Sequence, residues 1–223
     1  MAINIAIDGP AGAGKSTIAK GLAKRLGFVY VDTGAMYRTL ALYFVENGIA
    51  LDDEAAIEAA LPAVSVRIAY QDGTQHIFLN DRDVSGEIRR EEIGNAASAT
   101  SGYPEVRKKL LALQRDLAAE SDCIMDGRDI GSFVLPDAQV KIYLTASVVT
   151  RAKRRFDELA EKGESPKLSE IEADIAKRDE QDMNRAVSPL VQAEDAVYLD
   201  TSAMDIPEVM AEIERIARDK GVL

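Results

Sequence analysis

A glycine-rich stretch near the N-terminus constrains the fold more than any other part of the sequence. It reads Gly9-Pro10-Ala11-Gly12-Ala13-Gly14-Lys15-Ser16-Thr17 and fits the P-loop pattern G-x-x-x-x-G-K-[ST] at every fixed position. The apolar run from Ile3 to Ile7 predicts a buried strand before it, and Ser16 to Leu26 predicts a helix after it. The N–H groups of such a loop surround phosphate oxygens. The sequence therefore predicts a binding site for a nucleoside triphosphate.

Two side chains of this loop have specific expected tasks. Lys15 is expected to reach the outer phosphates, and Ser16 is expected to offer its hydroxyl to Mg²⁺. We expect the nucleotide to contact the whole loop, which consists of Gly9, Pro10, Ala11, Gly12, Ala13, Gly14, Lys15, Ser16 and Thr17.

Strand-like and helix-like segments alternate along most of the chain. This alternation, with the P-loop after the first strand, predicts an α/β fold with a doubly wound, mostly parallel sheet flanked by helices. Two short strand-like runs at 64–70 and 75–79, joined by Gln71-Asp72-Gly73-Thr74, predict an inserted hairpin over the mouth of the site. Two helices joined by a polar loop predict a lid, and Ser169 with Glu172 predicts a capping box at the second helix.

We expect one domain over residues 1–223, with two appended parts. The core is predicted at 1–62, 104–150 and 186–223, a small β-rich nucleotide-binding insert at about 63–103, and the lid at about 151–185. A chain of 223 residues with 47% hydrophobic content is long enough for one such core.

The charge balance indicates which partners to expect. A formal net charge of -11 argues against a protein that coats nucleic acid or an anionic membrane. No apolar run approaches the length of a bilayer span, and Cys123 is the single cysteine. We therefore expect a soluble cytoplasmic monomer that binds small-molecule nucleotides.

Arginines at predicted strand ends and on predicted helix faces narrow the chemistry. Arg38 follows the second strand, and Arg128 stands in Gly127-Arg128-Asp129-Ile130-Gly131 after a later one. Two further groups are spaced so that each lies on one face of a predicted helix. The first is Arg151, Arg154 and Arg155, and the second is Arg178, Asp182 and Arg185. The same spacings are typical of solvated arginines and of a salt-bridge ladder in which Asp182 joins the two arginines. Taken together with the P-loop, these arginines favour a nucleotide-dependent small-molecule kinase with a phosphorylated acceptor, since such a reaction brings several negative charges together.

Several segments closely resemble the bacterial cytidylate kinase family, over essentially the whole chain. They are Ile7 to Ser16, Asp32-Thr33-Gly34-Ala35-Met36-Tyr37-Arg38, Asp83 to Arg89, Asp126 to Gly131, and Asp182 to Arg185 with Pro189-Leu190. The resemblance implies transfer of a phosphoryl group from ATP to CMP, with dCMP also accepted, using Mg²⁺.

The resemblance also implies roles for individual residues. Thr33, Arg38 and Arg128 would hold the acceptor phosphate, Ser98, Arg107 and Asp129 would read cytosine, and Asp182 and Arg185 would contact the sugar and phosphate. Lys15, Arg128 and Arg185 would be the catalytic residues, and Arg151, Arg154, Arg155 and Arg178 would serve the lid. Cytosine presents an amino donor beside two acceptors, so a carboxylate, an arginine and a hydroxyl complement it.

Two other functions are compatible with parts of this pattern. The first is a kinase of another acceptor, such as UMP, AMP or a small hydroxy acid. The second is a nucleotide-binding regulatory switch, which would be expected to carry an Asn/Thr-Lys-x-Asp guanine-reading motif. The sequence contains neither form of that motif.

Overall fold

A computed structural model describes residues 2–71, 73–161 and 163–223. Eight strands and eight α-helices are assigned within these ranges. In chain order they are β1 (Asn4–Asp8), α1 (Lys15–Leu26), β2 (Val29–Asp32), α2 (Thr33–Glu46), α3 (Glu54–Ala60), β3 (Val66–Gln71), β4 (Thr74–Leu79), β5 (Arg82–Asp83), α4 (Glu91–Thr100), α5 (Pro104–Glu120), β6 (Cys123–Gly127), β7 (Val140–Thr145), α6 (Val148–Glu161), α7 (Leu168–Asn184), β8 (Val197–Asp200) and α8 (Ile206–Asp219).

The central sheet has five strands in the order β2-β6-β1-β7-β8. All of its pairings are parallel, and Asp8 at the end of β1 lies in register with Gly127 at the end of β6. The P-loop strand and the strand before Arg128 are therefore neighbours. Their carboxyl ends meet at one edge of the sheet, where open α/β sheets bind ligands.

Apolar side chains cover both faces of the sheet. On β1, Ile5 and Ile7 pack on one face with α1 and α8, whereas Ala6 packs on the other with α2, α4 and α5. This follows from the two-residue repeat of a strand, which sends successive side chains to opposite faces. Parallel strands buried on both faces are expected to be apolar in their interior, as β1 is from Ile5 to Ile7. The predicted doubly wound α/β fold is confirmed.

The predicted insert forms a separate antiparallel sheet in the order β3-β4-β5. Its hairpin docks on the edge strand β2, where the Tyr70 hydroxyl donates to the Tyr30 carbonyl at 3.0 Å and Gln75 Oε1 accepts from Asp32 N at 2.9 Å. The predicted hairpin turn includes Asp72, which lies outside the described residues. The hairpin therefore satisfies backbone groups of β2, and the part of the insert that reaches Arg38 is the segment after β5.

Helices α6 and α7 form the predicted helix pair, but α7 begins differently from the prediction. Lys167 is its N-cap residue and has an extended backbone, so Ser169 lies within the first turn. The predicted capping box of Ser169 with Glu172 is therefore wrong. A capping box forms instead at α8, where Asp205 and Glu208 exchange hydrogen bonds with each other's backbone N–H. Among the described residues, no helix is both long and apolar enough to span a membrane.

Gly9 is expected to tolerate no side chain. Its φ is +152°, and an added Cβ would lie 1.9 Å from the Leu144 carbonyl oxygen on β7. We expect Gly9→Ala to lower the free energy of unfolding by about 3 kcal/mol or more, because backbone strain and a steric clash add. Urea unfolding measures this, with Gly86→Ala as the control, since Gly86 has a φ of -81° and open space around it. Equal stability of the two variants would contradict this packing.

Candidate active site

The P-loop runs from the end of β1 into the first turn of α1. Gly12 and Gly14 have φ values of +72° and +88°, which glycine adopts without strain. Gly14 is the N-cap residue of α1 and has no side chain to accept from the first N–H groups of the helix. These groups have no partner within a helix, so the loop and the helix start together offer donors to an anion.

Lys15 is buried at the base of this loop, and its Nζ donates to the Pro10 carbonyl at 2.8 Å. Burial, helped by the positive charge of Arg128, lowers the pKa of Lys15 to about 7, although Asp126, Asp182 and Asp8 oppose the shift. A bound polyphosphate would supply the negative charge that favours the protonated form. A phosphate bound in the loop would therefore stabilise the protonated form of Lys15.

A polar cluster beside the loop fits a magnesium ion. Ser16 Oγ donates to Asp126 Oδ2 at 2.8 Å, and the Tyr30 hydroxyl donates to Asp126 Oδ1 at 2.9 Å. Burial and the nearby Asp32 raise the pKa of Asp126 to about 6, whereas Lys15 lowers it. Hydroxyl and carboxylate oxygens suit Mg²⁺, which takes one or two protein ligands beside substrate phosphates. Within the described ranges, no three His, Cys, Asp or Glu side chains form a metal cage.

The predicted acceptor-phosphate residues lie on α2, which holds Thr33 and Arg38, and directly after β6, where Arg128 stands. Thr33 Oγ1 donates to the Asp126 carbonyl at 2.7 Å, which anchors the start of α2 to the end of β6. Arg38, on α2, donates to the Ile88 carbonyl at 3.5 Å. Burial lowers the pKa of Arg38, and the positive charges of Arg89, Arg178 and Arg128 lower it further, against the effect of Asp32. An anion among these guanidinium groups would relieve their repulsion.

Asp129 is the centre of the predicted base-reading group. Its carboxylate is buried, accepts from Arg107 Nη2, and lies 3.5 Å from Arg185 Nη2. Burial raises the pKa of Asp129, and Arg107 and Arg185 oppose this. The Arg107 guanidinium lies 5.6 Å from the centroid of the Tyr37 ring and 5.8 Å from that of the Phe133 ring. A buried acceptor and a buried donor therefore lie side by side.

Ser98 lies on α4, close to the joint that holds Arg107. Its carbonyl accepts from Ser101 Oγ at 3.2 Å, and the Ser101 carbonyl in turn accepts from Arg107 Nη1 at 3.3 Å. The structure thus connects Ser98 to Arg107 through the turn between α4 and α5.

Residues at the end of α7 face the loop after β6. Asp182 Oδ2 accepts from Arg128 Nε at 2.6 Å. Arg178, one turn earlier on α7, donates to Asn95 on α4 and pairs with Asp174 at 2.9 Å. Arg185 follows the helix as its extended C-cap, and its Nη1 is 4.0 Å from Asp182 Oδ1. The alternative ladder, in which Asp182 joins both arginines, is therefore only partly present: Asp182 lies near Arg185 and pairs with Arg128, whereas Arg178 pairs with Asp174.

The three arginines at the start of α6 have different partners. Arg151 is buried, donates to the Ala11 carbonyl of the P-loop at 2.8 Å, and forms a bidentate pair with Asp179 on α7 at 3.1 and 2.6 Å. Arg154 donates to the Thr201 carbonyl at 2.7 Å, and Arg155 pairs with Glu158 at 3.0 Å. In this arrangement Arg151 and Arg154 fasten α6 to the P-loop and to the loop after β8, whereas Arg155 lies on the surface of the helix.

The structure brings together most of the predicted site. The P-loop, Arg128 and Asp182 form one cluster, and Asp129, Arg107 and Arg185 form the next, while Arg155 stays outside both. Sequence reasoning gave no role to four site residues, which are Asp8, Asp126, Asp179 and Arg89. For Asp126 a signal was present, since it ends the strand next to the P-loop strand, where a metal-binding carboxylate is expected in such proteins.

Comparison with known proteins gives a consistent result. The cytidylate kinase family model matches residues 5–219. A cytidylate kinase from Carboxydothermus hydrogenoformans is 48% identical over 222 residues, which are 99% of this chain and 100% of that protein. One from Leuconostoc mesenteroides is 49% identical over 212 residues, covering 95% of each chain.

A solved structure also has the same overall fold. It is an uncharacterised protein from Eubacterium ventriosum, with a TM-score of 0.54 at 13% sequence identity, and the match covers 97% of this chain and 98% of that one. At this identity the similarity concerns the fold alone. Since both the family model and the close relatives span nearly the whole sequence, this chain belongs to the cytidylate kinase family.

Proposed function

We propose that this enzyme transfers the γ-phosphoryl group of ATP to CMP and dCMP, giving ADP with CDP or dCDP. Besides family membership, one observation carries the proposal. The buried Asp129 carboxylate, held by Arg107 and Arg185, lies in the turn after β6, and β6 is the neighbour of the P-loop strand. A base-reading group thus stands beside a triphosphate-binding loop.

ATP would bind along the P-loop. The backbone from Gly9 to Thr17 surrounds its phosphates, and Lys15 shifts from the Pro10 carbonyl to the outer phosphates. Ser16 and Asp126 would hold Mg²⁺, which neutralises phosphate charge when bound. Burial lowers the pKa of Lys15 to about 7, so that the side chain is only partly charged near neutral pH. Phosphate binding would raise this pKa and favour the charged form.

The acceptor phosphate would lie between α2 and the loop after β6. Arg38 and Arg128 would neutralise it, and the Thr33 hydroxyl would turn from the Asp126 carbonyl to donate to it. An oxygen of this phosphate attacks the γ-phosphorus, and the bond from that phosphorus to the β–γ bridging oxygen breaks. No protein nucleophile is needed, so the arginines and Lys15 position and neutralise the reacting groups.

Cytosine would be read at Asp129. The Asp129 carboxylate would accept from the N4 amino group, while Arg107 and Ser98 would donate to the ring acceptors. Uracil presents an acceptor where cytosine has its amino group, so it would face a buried carboxylate without a donor. Asp182 and Arg185 would contact the sugar and phosphate, and Arg185 would also lie near the transferring group.

The helix pair α6 and α7 would act as the lid, at about 151–185, and the insert at about 63–103 would close over the acceptor. Arg178 already joins α7 to Asn95 on α4, the insert side of the cleft. Arg151, Arg154 and Arg155 would serve this lid, of which Arg151 contacts the P-loop backbone directly. We propose a cytoplasmic monomer with small-molecule nucleotides as its ligands, and with no role for nucleic acid or membranes.

Asp129→Ala tests this account of base recognition. We expect kcat/KM for CMP to fall about 100-fold and the ratio of kcat/KM for CMP over UMP to fall at least about tenfold, because the acceptor for N4 is lost. A coupled assay of ADP release measures both. Asp137→Ala is the matched control, an exposed carboxylate ten residues beyond Gly127. An unchanged CMP to UMP ratio in Asp129→Ala would refute the base-reading role.

A further inference from the structure

Asp8 is a buried carboxylate to which the proposed reaction gives no role. It ends β1 directly before the P-loop, and its side chain is turned toward the loop after β6. Its Oδ1 accepts from Ile130 N at 2.8 Å, and its Oδ2 accepts from Gly131 N at 2.7 Å. The residue is 5% exposed. One side chain thus connects the strand that leads into the ATP loop with the turn that presents Arg128 and Asp129.

The two N–H groups that Asp8 accepts from begin a short helical turn. This turn spans Ile130–Val134, and Asp129 is its N-cap residue. An aspartate at this position commonly caps the turn with its own carboxylate. Here the Asp129 side chain makes no capping hydrogen bond within the described structure, and it pairs with Arg107 and Arg185 instead. Asp8, on β1, therefore caps this turn in place of Asp129.

The charge of Asp8 suits this task. Burial raises its pKa to about 6, whereas the N–H groups of Gly131 and Ile130 lower it, so the group is ionised at neutral pH. An ionised carboxylate presents two acceptor oxygens to two donors. An asparagine of the same shape would present one oxygen and one amino group, and that amino group would face an N–H donor.

We propose that Asp8 is a positioning residue for base recognition. It caps the turn after β6 in place of Asp129, and so keeps the Asp129 carboxylate free to face the base of the acceptor. The inference rests on the proposed function, since it assigns to Asp8 the orientation of the group that would read cytosine. Displacements of about 1 Å in such a group are enough to reduce catalysis substantially.

Asp8→Asn tests the proposal through acceptor selectivity. We expect the ratio of kcat/KM for CMP over UMP to fall about tenfold in a coupled assay of ADP release. Both reactions use the same ATP, so any effect of Asp8 on Lys15 cancels in this ratio. Asp122→Asn is the matched control, because Asp122 Oδ1 accepts from Ile3 N at 2.7 Å at the other end of β1. This control is expected to keep the wild-type ratio within about twofold.

A double-mutant cycle with Asp129→Ala separates positioning from general stability. If Asp8 acts through Asp129, Asp8→Asn leaves the CMP to UMP ratio of Asp129→Ala unchanged. An unchanged ratio in Asp8→Asn alone, with only a lower Tm, would overturn the proposal. So would an equal loss in both backgrounds.

Asp8→Ser provides a second variant if Asp8→Asn does not fold. Its single hydroxyl oxygen cannot replace the two carboxylate oxygens, which accept from Ile130 N at 2.8 Å and from Gly131 N at 2.7 Å. We expect the CMP to UMP ratio to fall in this variant too, and an unchanged ratio would overturn the proposal. A wild-type enzyme with no preference for CMP over UMP would instead overturn the proposed function itself. The two failures are therefore distinguishable.

Discussion

Lys15→Met is expected to lower kcat/KM for phosphoryl transfer about 1,000-fold. Lys15 is buried at the base of the P-loop and donates to the Pro10 carbonyl, close to where the outer phosphates of ATP would bind. Its charge would stabilise the negative charge of the transferring group, and preorganised donors in such sites contribute factors of about 100 to 1,000. Methionine keeps the unbranched apolar stem and removes the charge.

The measurement is a steady-state assay with CMP and ATP, and circular dichroism establishes that the variant is folded. Lys24→Met, on the exposed side of the same helix, is the control and is expected to keep wild-type activity. A decrease in kcat/KM of less than about tenfold in Lys15→Met would contradict the role of Lys15 in stabilising the transferring phosphoryl group.

Arg128→Ala is expected to lower kcat/KM for CMP about 100-fold while leaving ATP affinity within about threefold. Arg128 follows β6 and donates to Asp182 at 2.6 Å. Burial lowers the pKa of Arg128, but Asp182, Asp126 and Asp179 together outweigh this and raise it above its usual value. Arg128 is therefore fully protonated and can neutralise the acceptor phosphate. Its removal also takes from Asp182, which is itself buried, the nearer of two arginines and leaves Arg185 at 4.0 Å.

Arg128→Lys distinguishes charge from geometry in this position. Lysine keeps the charge but lacks the planar fork, so we expect it to recover less than about a tenth of the lost kcat/KM. Isothermal titration with ATP measures donor affinity separately, and Arg215→Ala serves as the control, because Arg215 is an exposed arginine on α8 that pairs with Glu212. Loss of ATP binding in Arg128→Ala, with unchanged KM for CMP, would place Arg128 on the donor side and contradict the assignment.

The fold could be predicted from the sequence because its strongest signals are local. The P-loop fixes one strand and one helix, and the apolar runs at β6 and β7 are short, buried and bounded by turns. The first residues of the helices could be predicted less well than the elements themselves. At α7 the Ser-x-x-Glu pattern of Ser169 and Glu172 predicted a cap, but the backbone stays extended only up to Lys167, which places Ser169 inside the helix. A side-chain pattern does not specify which residue leaves the extended state first.

The site could be predicted less completely, since much of it depends on contacts between distant segments. The spacing of Arg151, Arg154 and Arg155 indicated a shared face, yet Arg151 pairs with Asp179 on the next helix and Arg154 with the loop after β8. Asp8 lies beside the P-loop in sequence, but its task becomes visible only when the turn after β6 is placed against it. Neither partner follows from helical or strand periodicity.

The most direct test of the central claim is the acceptor preference of the wild-type enzyme. ADP release from ATP and Mg²⁺ is measured with CMP, dCMP, UMP and AMP as acceptors, and without any acceptor. The account predicts that CMP and dCMP support by far the highest kcat/KM, and that turnover without an acceptor is negligible. Equal rates with UMP or AMP would contradict the assignment of Asp129 to cytosine, and turnover unaffected by any monophosphate would contradict a nucleoside monophosphate kinase.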